Sequence, residues 1–312
     1  MKITVVAPKT ISRHDQEDTP FRYDFAFWNF YLPLLSLKHT VHFFDTSYYG
    51  NTALKQHIET QKPDLLFCMM TGDATVCPDE PWQTIMAETL SGRTKTFNWF
   101  CDDVWRFDSF SSNVCNNFHV CSTPEKRYMD KYRDFGYENI LYGNWHCNED
   151  LYSGVIAKKR IPFSFAGHLG ADRLEFMTKM HRAGLGVNGP SSNPRHASFE
   201  EMFNMYAVSL VGLNFTKCSQ KPERQMKARI FEVPACGTAL LTEHVEGIEE
   251  LFEIDKEIMV FDTVEELIEK ARFLVSNPES AIKIGQAGQK RFLKEHTSKI
   301  RLRKILNEIK KL

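Results

Sequence analysis

The chain has 312 residues, with 39 Lys and Arg against 40 Asp and Glu, and 25% of its residues are charged. That length exceeds one ordinary core and fits two domains of about 150 residues each, and the near-balanced net charge of −1 sets up no global field to attract nucleic acid. The opening MKITVVAPKT carries an apolar run more like a first strand than a secretion signal, and no stretch approaches the length of a bilayer span, so a cytoplasmic protein is expected.

Ile3 to Val6 reads as that first strand, and the polar loop from Pro8 to Pro20 holds His14, Asp15, Glu17 and Asp18. In a doubly wound α/β fold the loops after strands line the ligand crevice. Asp15 and His14 are therefore candidate ligand contacts or bases, with a solvated acidic loop as the alternative. The dense apolar run FRYDFAFWNFYLPLLSLKH suits a helix lying on a sheet, and Val41 to Phe44 a second strand. Leu54 to Thr60 reads as a short helix, DLLFCMM as a buried strand, and Thr84 to Leu90 as a helix.

The strand Thr96 to Phe100 runs straight into Cys101, Asp102, Asp103, Val104, Trp105 and Arg106. Two acids and an arginine directly after a buried strand stand where crevice residues belong, and a helix N-cap by one of the Asp residues is the other reading. Phe118 to Cys121 forms a strand, and Ser122, Thr123 and Pro124 start a helix that runs to about Phe135 and stops at Gly136. Ile140 to Tyr142 closes the first half, and the polar segment from Asn148 to Lys159 marks a junction between domains 1–150 and 151–290.

Eight cysteines, at 68, 77, 101, 115, 121, 147, 218 and 236, form no C-x-x-C pair and have no His partner at zinc spacing. They read as buried free thiols of a reducing compartment, with a nucleophilic cysteine as the remote alternative.

The second half opens with the strand Ile161 to Ala166, then Gly167, His168, Leu169, Gly170, Ala171, Asp172 and Arg173, and a helix from Leu174 to Ala183. Strand, glycine turn and helix start together aim backbone N–H groups at an anion, so Gly167, His168 and Arg173 are phosphate candidates. The next segment, Gly184-Leu185-Gly186-Val187-Asn188-Gly189, matches G-x-G-x-x-G. A dinucleotide fingerprint must follow a strand and open a helix, whereas here the first glycine ends a helix and a loop follows. Ser198 caps a helix to Val208, Leu210 to Phe215 is a buried strand, and Lys221, Arg224 and Lys227 lie on a basic loop that either faces a ligand or is simply solvated.

A helical run then ends at Cys236-Gly237, a strand follows from Thr238 to Thr242, and a second helix begins near Gly247. Gly237 serves as a left-handed helix cap or as a point of close backbone approach to a ligand. Arg229 and Glu232, three apart, share a helix face and set a cation for phosphate beside a carboxylate for a sugar diol. Ile258 to Phe261 is a strand, Val264 to Val275 a helix, and Pro278 starts a helix expected to continue to Leu312 with Leu302, Ile305, Leu306, Ile309 and Leu312 on one side. From Lys290 on there are nine Lys/Arg against two Glu, so the polar side of this helix could instead make weak peripheral contact with an anionic membrane or nucleic acid.

The segment Arg229-Ile-Phe-Glu232-Val-Pro-Ala-Cys-Gly237-Thr-Ala-Leu-Leu-Thr242, followed by Gly247-Ile-Glu-Glu-Leu-Phe252, resembles the donor-binding half of the group 1 glycosyltransferases, in particular their spore-maturation-type branch. The W-x-x-D-D-x-W stretch from Trp99 to Trp105 is similar to the acceptor domain of that branch. The resemblance implies a GT-B fold. Two Rossmann-like, doubly wound domains face across a cleft, 1–150 on the acceptor side and 151–290 on the donor side, and helix 291–312 crosses back to the first.

The same resemblance implies a UDP- or GDP-sugar donor, an unidentified acceptor hydroxyl, and neither cofactor nor metal. Arg173, Arg224, Lys227 and Arg229 would stabilise the leaving diphosphate held on the Gly167–His168 turn. Glu232 would hold the ribose hydroxyls, and the backbone of Gly237, Thr238, Ala239 and Leu240 would approach the sugar or ribose. Asp15, Asp102 and Asp103 are the candidate bases on the acceptor side. Retaining members of the group carry a second glutamate eight positions before the ribose-binding one, where this chain has Arg224 with Glu223 beside it, so retaining and inverting outcomes both stay open. Glycan, lipid-linked sugar, protein, small metabolite and modified nucleobase all stay open as acceptors. The competing readings are a non-catalytic nucleotide-sugar-binding protein and an NAD(P)-dependent oxidoreductase.

Overall fold

The computed structural model describes residues 1–10, 23–72, 79–152, 157–189, 197–218 and 221–311. It contains two compact units, one made of Met1–Asn148 with Ser298–Leu312 and the other of Glu149–Thr297.

In the first unit β1 (Lys2–Ala7), β2 (Thr40–Asp45), β3 (Leu65–Cys68), β4 (Lys95–Trp99), β5 (Val120–Thr123) and β6 (Ile140–Tyr142) form one sheet in the order β2-β1-β3-β4-β5-β6. Every neighbouring pair is parallel. Parallel sheets are covered on both faces, so their strands are continuously apolar; β3 and β5 are buried at every position. Phe30, Phe67, Phe97 and Trp99 pack tilted or edge-to-face at ring distances of 4.6–5.3 Å in the core, and the Trp99 indole N–H donates to the Gly143 carbonyl at 3.0 Å.

The helix after Thr123 starts later than the sequence suggests. Ser122 and Thr123 belong to β5, the Thr123 hydroxyl accepts from the Glu125 N–H at 3.2 Å, and the helix spans Tyr128–Asp134. The FRYDFAF segment likewise differs from a plain α-helix, with a π-turn at Phe27–Tyr31 leading into Leu32–Ser36.

In the second unit β7 (Ile161–Ser164), β8 (Val187–Asn188), β9 (Ser209–Asn214), β10 (Ala239–Glu243) and β11 (Met259–Phe261) form a five-stranded parallel sheet in the order β11-β10-β9-β7-β8. In both sheets the order reverses beside the first strand, between β1 and β3 and between β7 and β9. Such switch points open a crevice beyond the carboxyl ends of the strands. Near Gly247 only a short 3₁₀ turn forms, at Ile248–Glu250.

The helix Pro278–Glu295 packs on the start of β10 and on the turn before β11 because Gly285 and Gly288 lack a Cβ. One on Gly285 would lie 2.7 Å from the Gly237 carbonyl oxygen, and one on Gly288 would lie 2.5 Å from the Glu257 carbonyl oxygen. This helix does not run on to Leu312. It stops at His296, whose buried ring packs 4.9 Å from Phe252 and pairs with the Leu251 carbonyl at 2.9 Å. A new helix, Ser298–Ile309, then buries Leu302, Ile305, Leu306 and Ile309 within the first unit. Ser298 anchors its start: its N–H donates to the Cys147 carbonyl at 3.0 Å and its hydroxyl pairs with the buried His146 Nδ1 at 2.7 Å. Among the described residues no helix is long and apolar enough to cross a membrane.

Candidate functional site

The switch point of the second unit places two loops together, 165–170 after β7 and the described residues 215–218 and 221–228 after β9. The first is pinned through Ala166. Its N–H donates to the Tyr206 hydroxyl at 3.1 Å, and its carbonyl accepts from Arg229 Nε at 2.9 Å. Gly167 and His168 are exposed just beyond it.

Arg173, in the first turn of the helix Ala171–Arg182, reaches back over the same loop. One of its guanidinium N–H groups donates to the His168 carbonyl at 2.7 Å, and the group lies 5.9 Å from the centre of the Phe165 ring. Burial, and after it the charge of Arg229, holds Arg173 below its ordinary pKa. Two half-buried guanidiniums thus converge on one exposed loop and repel each other, an arrangement that an anion would relieve.

Glu232 lies one helical turn from Arg229, its Oε2 3.7 Å from Arg229 Nε. The residue is 1% exposed, that oxygen makes no hydrogen bond, and burial raises its pKa against the opposing pull of Arg229. A buried carboxylate oxygen without a donor costs free energy, and two vicinal hydroxyls would supply the missing donors.

The loop after β9 is organised by Glu243, a residue that sequence reasoning missed. Its Oε2 accepts from the Thr216 N–H at 2.8 Å, the Thr216 hydroxyl at 3.1 Å and the Lys217 N–H at 3.0 Å, while its Oε1 stands 3.3 Å from Arg224 Nε. Arg224 also pairs with the Asp262 carboxylate. These two acids correct the expectation that Arg224 binds diphosphate, because its charge is already met inside the protein. Lys217 pairs with Asp172 at 2.5 Å, and Lys227 is half-buried just before the helix Arg229–Ala235.

Two further expectations are corrected. Gly237, Thr238, Ala239 and Leu240 lie at the amino end of β10, away from the crevice. Gly237 caps the preceding helix at φ +64, its N–H donating to the Pro234 carbonyl at 2.8 Å, under the helix that carries Gly285. The Thr238 hydroxyl donates to the Tyr206 carbonyl at 2.6 Å and accepts from Lys159 Nζ at 2.8 Å, so it is spent on the core.

Asp103, in the first unit, is fully buried. It accepts from the Ser111 hydroxyl at 2.7 Å and the Tyr132 hydroxyl at 3.0 Å, and burial raises its pKa to about 6. It braces the turn after β4, and both of its carboxylate oxygens are spent on Ser111 and Tyr132. Asp102 beside it is half-buried, its backbone carbonyl accepting from Trp105 and Arg106, with no side-chain cap. Asp15 and His14 lie outside the described residues.

The G-x-G-x-x-G segment also has the wrong geometry for a dinucleotide. Gly184 ends a helix at φ +80, and β8 lies inside the motif, paired with Phe163 and Ser164. A cavity of about 310 Å³ does open here, lined by Phe165, Gly167, Leu169, Met177, His181 and Gly189. Among the described residues no group of three His, Cys, Asp or Glu is placed to hold a metal, and the described cysteines are free thiols.

No curated protein matches the chain in sequence. Residues 155–307 match the sequence family described as glycosyl transferase-like. The sucrose-phosphate synthase of Thermosynechococcus elongatus superposes with a TM-score of 0.63 at 9% identity over 99% of each chain. HepE of Anabaena, solved with UDP-glucose, does so at 0.60 and 13% over the whole of both chains. A glycosyltransferase from Rickettsia africae gives 0.61 and 10% over 99% of this chain and 98% of its own. From end to end the chain has the GT-B fold of these structures, and its residues 155–307 are similar in sequence to the glycosyl transferase-like family.

Proposed function

We propose that the protein is a glycosyltransferase that moves a sugar from a nucleoside-diphosphate sugar to an acceptor hydroxyl. The observation that carries this reading is the convergence of Arg173 and Arg229 on the Ala166–His168 turn at the switch point of the second unit. Breaking the bond between sugar and diphosphate builds negative charge on the leaving phosphate, and fixed cations in a partly desolvated site stabilise that charge without reorganising. Arg229 and Arg173 take this role, with Lys227 at the margin, so transfer proceeds without a metal. Glu232 accepts from the ribose hydroxyls, and the cavity lined by Phe165, Met177 and His181 takes the base.

A UDP-linked donor is favoured over a GDP-linked one by the likeness to HepE, which was solved with UDP-glucose. The R-I-F-E-V-P-A-C-G segment favours the spore-maturation-type branch. A non-catalytic nucleotide-sugar-binding protein is the second reading, favoured by Arg224 at the position of the group's second glutamate and by its engagement with Glu243 and Asp262. Incubation with UDP-glucose and other UDP-sugars, followed for release of UDP without acceptor, tests the two: slow hydrolysis supports the transferase, and binding without any release supports the binding protein.

A further inference from the structure

At the carboxyl rim of the first unit a groove of about 770 Å³ starts beside Lys9, Asp45, Tyr48 and Tyr49 and runs along the helix Asn51–Gln61 past Gln56 to Gln61. Its chemistry is unlike that of the arginine site. Tyr48 and Tyr49, adjacent in sequence, are 53% and 56% exposed, although side chains of this size and apolarity are ordinarily buried further. The Tyr49 ring sits 6.1 Å from that of Phe44, so one face is backed by the core while the rest is left open. The loops carrying these rings are tied together: Asp45 Oδ1 accepts from the Lys9 N–H at 3.1 Å and from the Ser47 N–H at 3.0 Å.

Beyond Lys9 and Asp45, whose charges oppose each other, the polar lining is made of amides, hydroxyls and the His57 imidazole, which burial, and after it His42, holds below its ordinary pKa. Gln56 is exposed and Gln61 half-exposed, each with an amide able both to donate and to accept. A nucleotide or other polyanion would need several cations here. A lipid chain would need a wholly apolar floor, whereas here Phe43, Phe44 and Ala53 share the lining with Gln56, His57 and Thr60. The partner that matches two half-exposed tyrosine rings beside amides and hydroxyls is a ring with one apolar face and a rim of hydroxyls.

We propose that this groove binds a neutral oligosaccharide, independently of the transferase activity proposed for the second unit. Saturation-transfer NMR on the whole chain, with maltopentaose, cellopentaose and chitopentaose as probes, tests it. At least one probe is expected to bind, and Tyr48→Ala and Tyr49→Ala are each expected to weaken it by about fivefold, the size that loss of one ring contact implies. Gln56→Ala should weaken it less, and Tyr48→Phe, which keeps the ring, should retain most of the affinity. UDP affinity should be the same in all four variants.

Absence of binding by all three probes, or binding that the tyrosine variants leave unchanged, overturns the proposal. UDP binding without oligosaccharide binding removes the groove and leaves the donor site standing. Oligosaccharide binding without UDP binding does the reverse.

Discussion

Arg229 Nε donates to the carbonyl of Ala166 across 63 positions of sequence, at 2.9 Å. That single bond joins the helix after β9 to the turn after β7 and fixes a guanidinium at the switch point of the sheet. Replacing Arg229 by Lys keeps a charge but loses the fixed fork. Arg229→Lys should therefore lower UDP affinity by about tenfold and Arg229→Ala by more, since a hydrogen bond to a charged group is worth about 1.5–3 kcal/mol. Calorimetric titration with UDP checks both.

Glu243 ties Thr216, Lys217 and Arg224 into one loop. Glu243→Ala strands the Thr216 and Lys217 N–H groups and removes one of the two acids that Arg224 pairs with, and should destabilise the protein by about 2–4 kcal/mol. Thermal unfolding measures that loss. UDP affinity should fall as well, because the loop packs beside the arginine site.

Asp103 gives a dependence on pH. Burial raises its folded pKa to about 6 from 3.8. Between these values the unfolded chain ionises the group while the folded chain keeps it protonated. Stability from this residue is therefore fully present below about pH 4 and is lost as pH rises through 6, a difference of about 3 kcal/mol. Asp103→Asn should flatten that part of the stability profile, measured by urea unfolding across the range, and should leave the rate of UDP release from a UDP-sugar unchanged. A fall in that rate with UDP affinity intact would return Asp103 to the site as a base.

Ser298 starts the last helix by pairing with a His146 ring that burial holds neutral, its pKa lowered to about 3. Ser298→Ala leaves the buried Nδ1 without its partner and should cost about 1–3 kcal/mol. Thermal unfolding checks this too, and the loss should come without change in UDP binding.

The parts that could be read from sequence are those whose partners are local or periodic. Apolar runs gave the parallel strands, and the spacing of Arg229 and Glu232 put them on one helix face. The β7 turn was legible because a strand, glycines and a helix start follow one another directly. Glu243 was not, since its partners Thr216 and Lys217 sit on the neighbouring strand's loop and are found only through the parallel register of β9 with β10. Asp103 looked like a crevice acid because nothing nearby in sequence reveals that Ser111 and Tyr132 enclose it.

The placing of Gly237 to Leu240 at the ligand failed for a different reason. In a parallel sheet ligands gather after strands, and these residues precede one. The break at His296 was hidden because the apolar stripe continues across it in phase, while the buried His146, Cys147 and Ser298 cluster that redirects the chain is assembled from distant positions.

The most direct test is calorimetric titration of UDP, in metal-free buffer with chelator, into the wild-type chain and into the variant carrying both Arg173→Ala and Arg229→Ala. The account predicts one binding site per chain in the wild type and an affinity at least about a hundredfold weaker in the double variant, the loss of two charge-assisted contacts. Equal affinity in the two proteins, or no binding to the wild type, would contradict it.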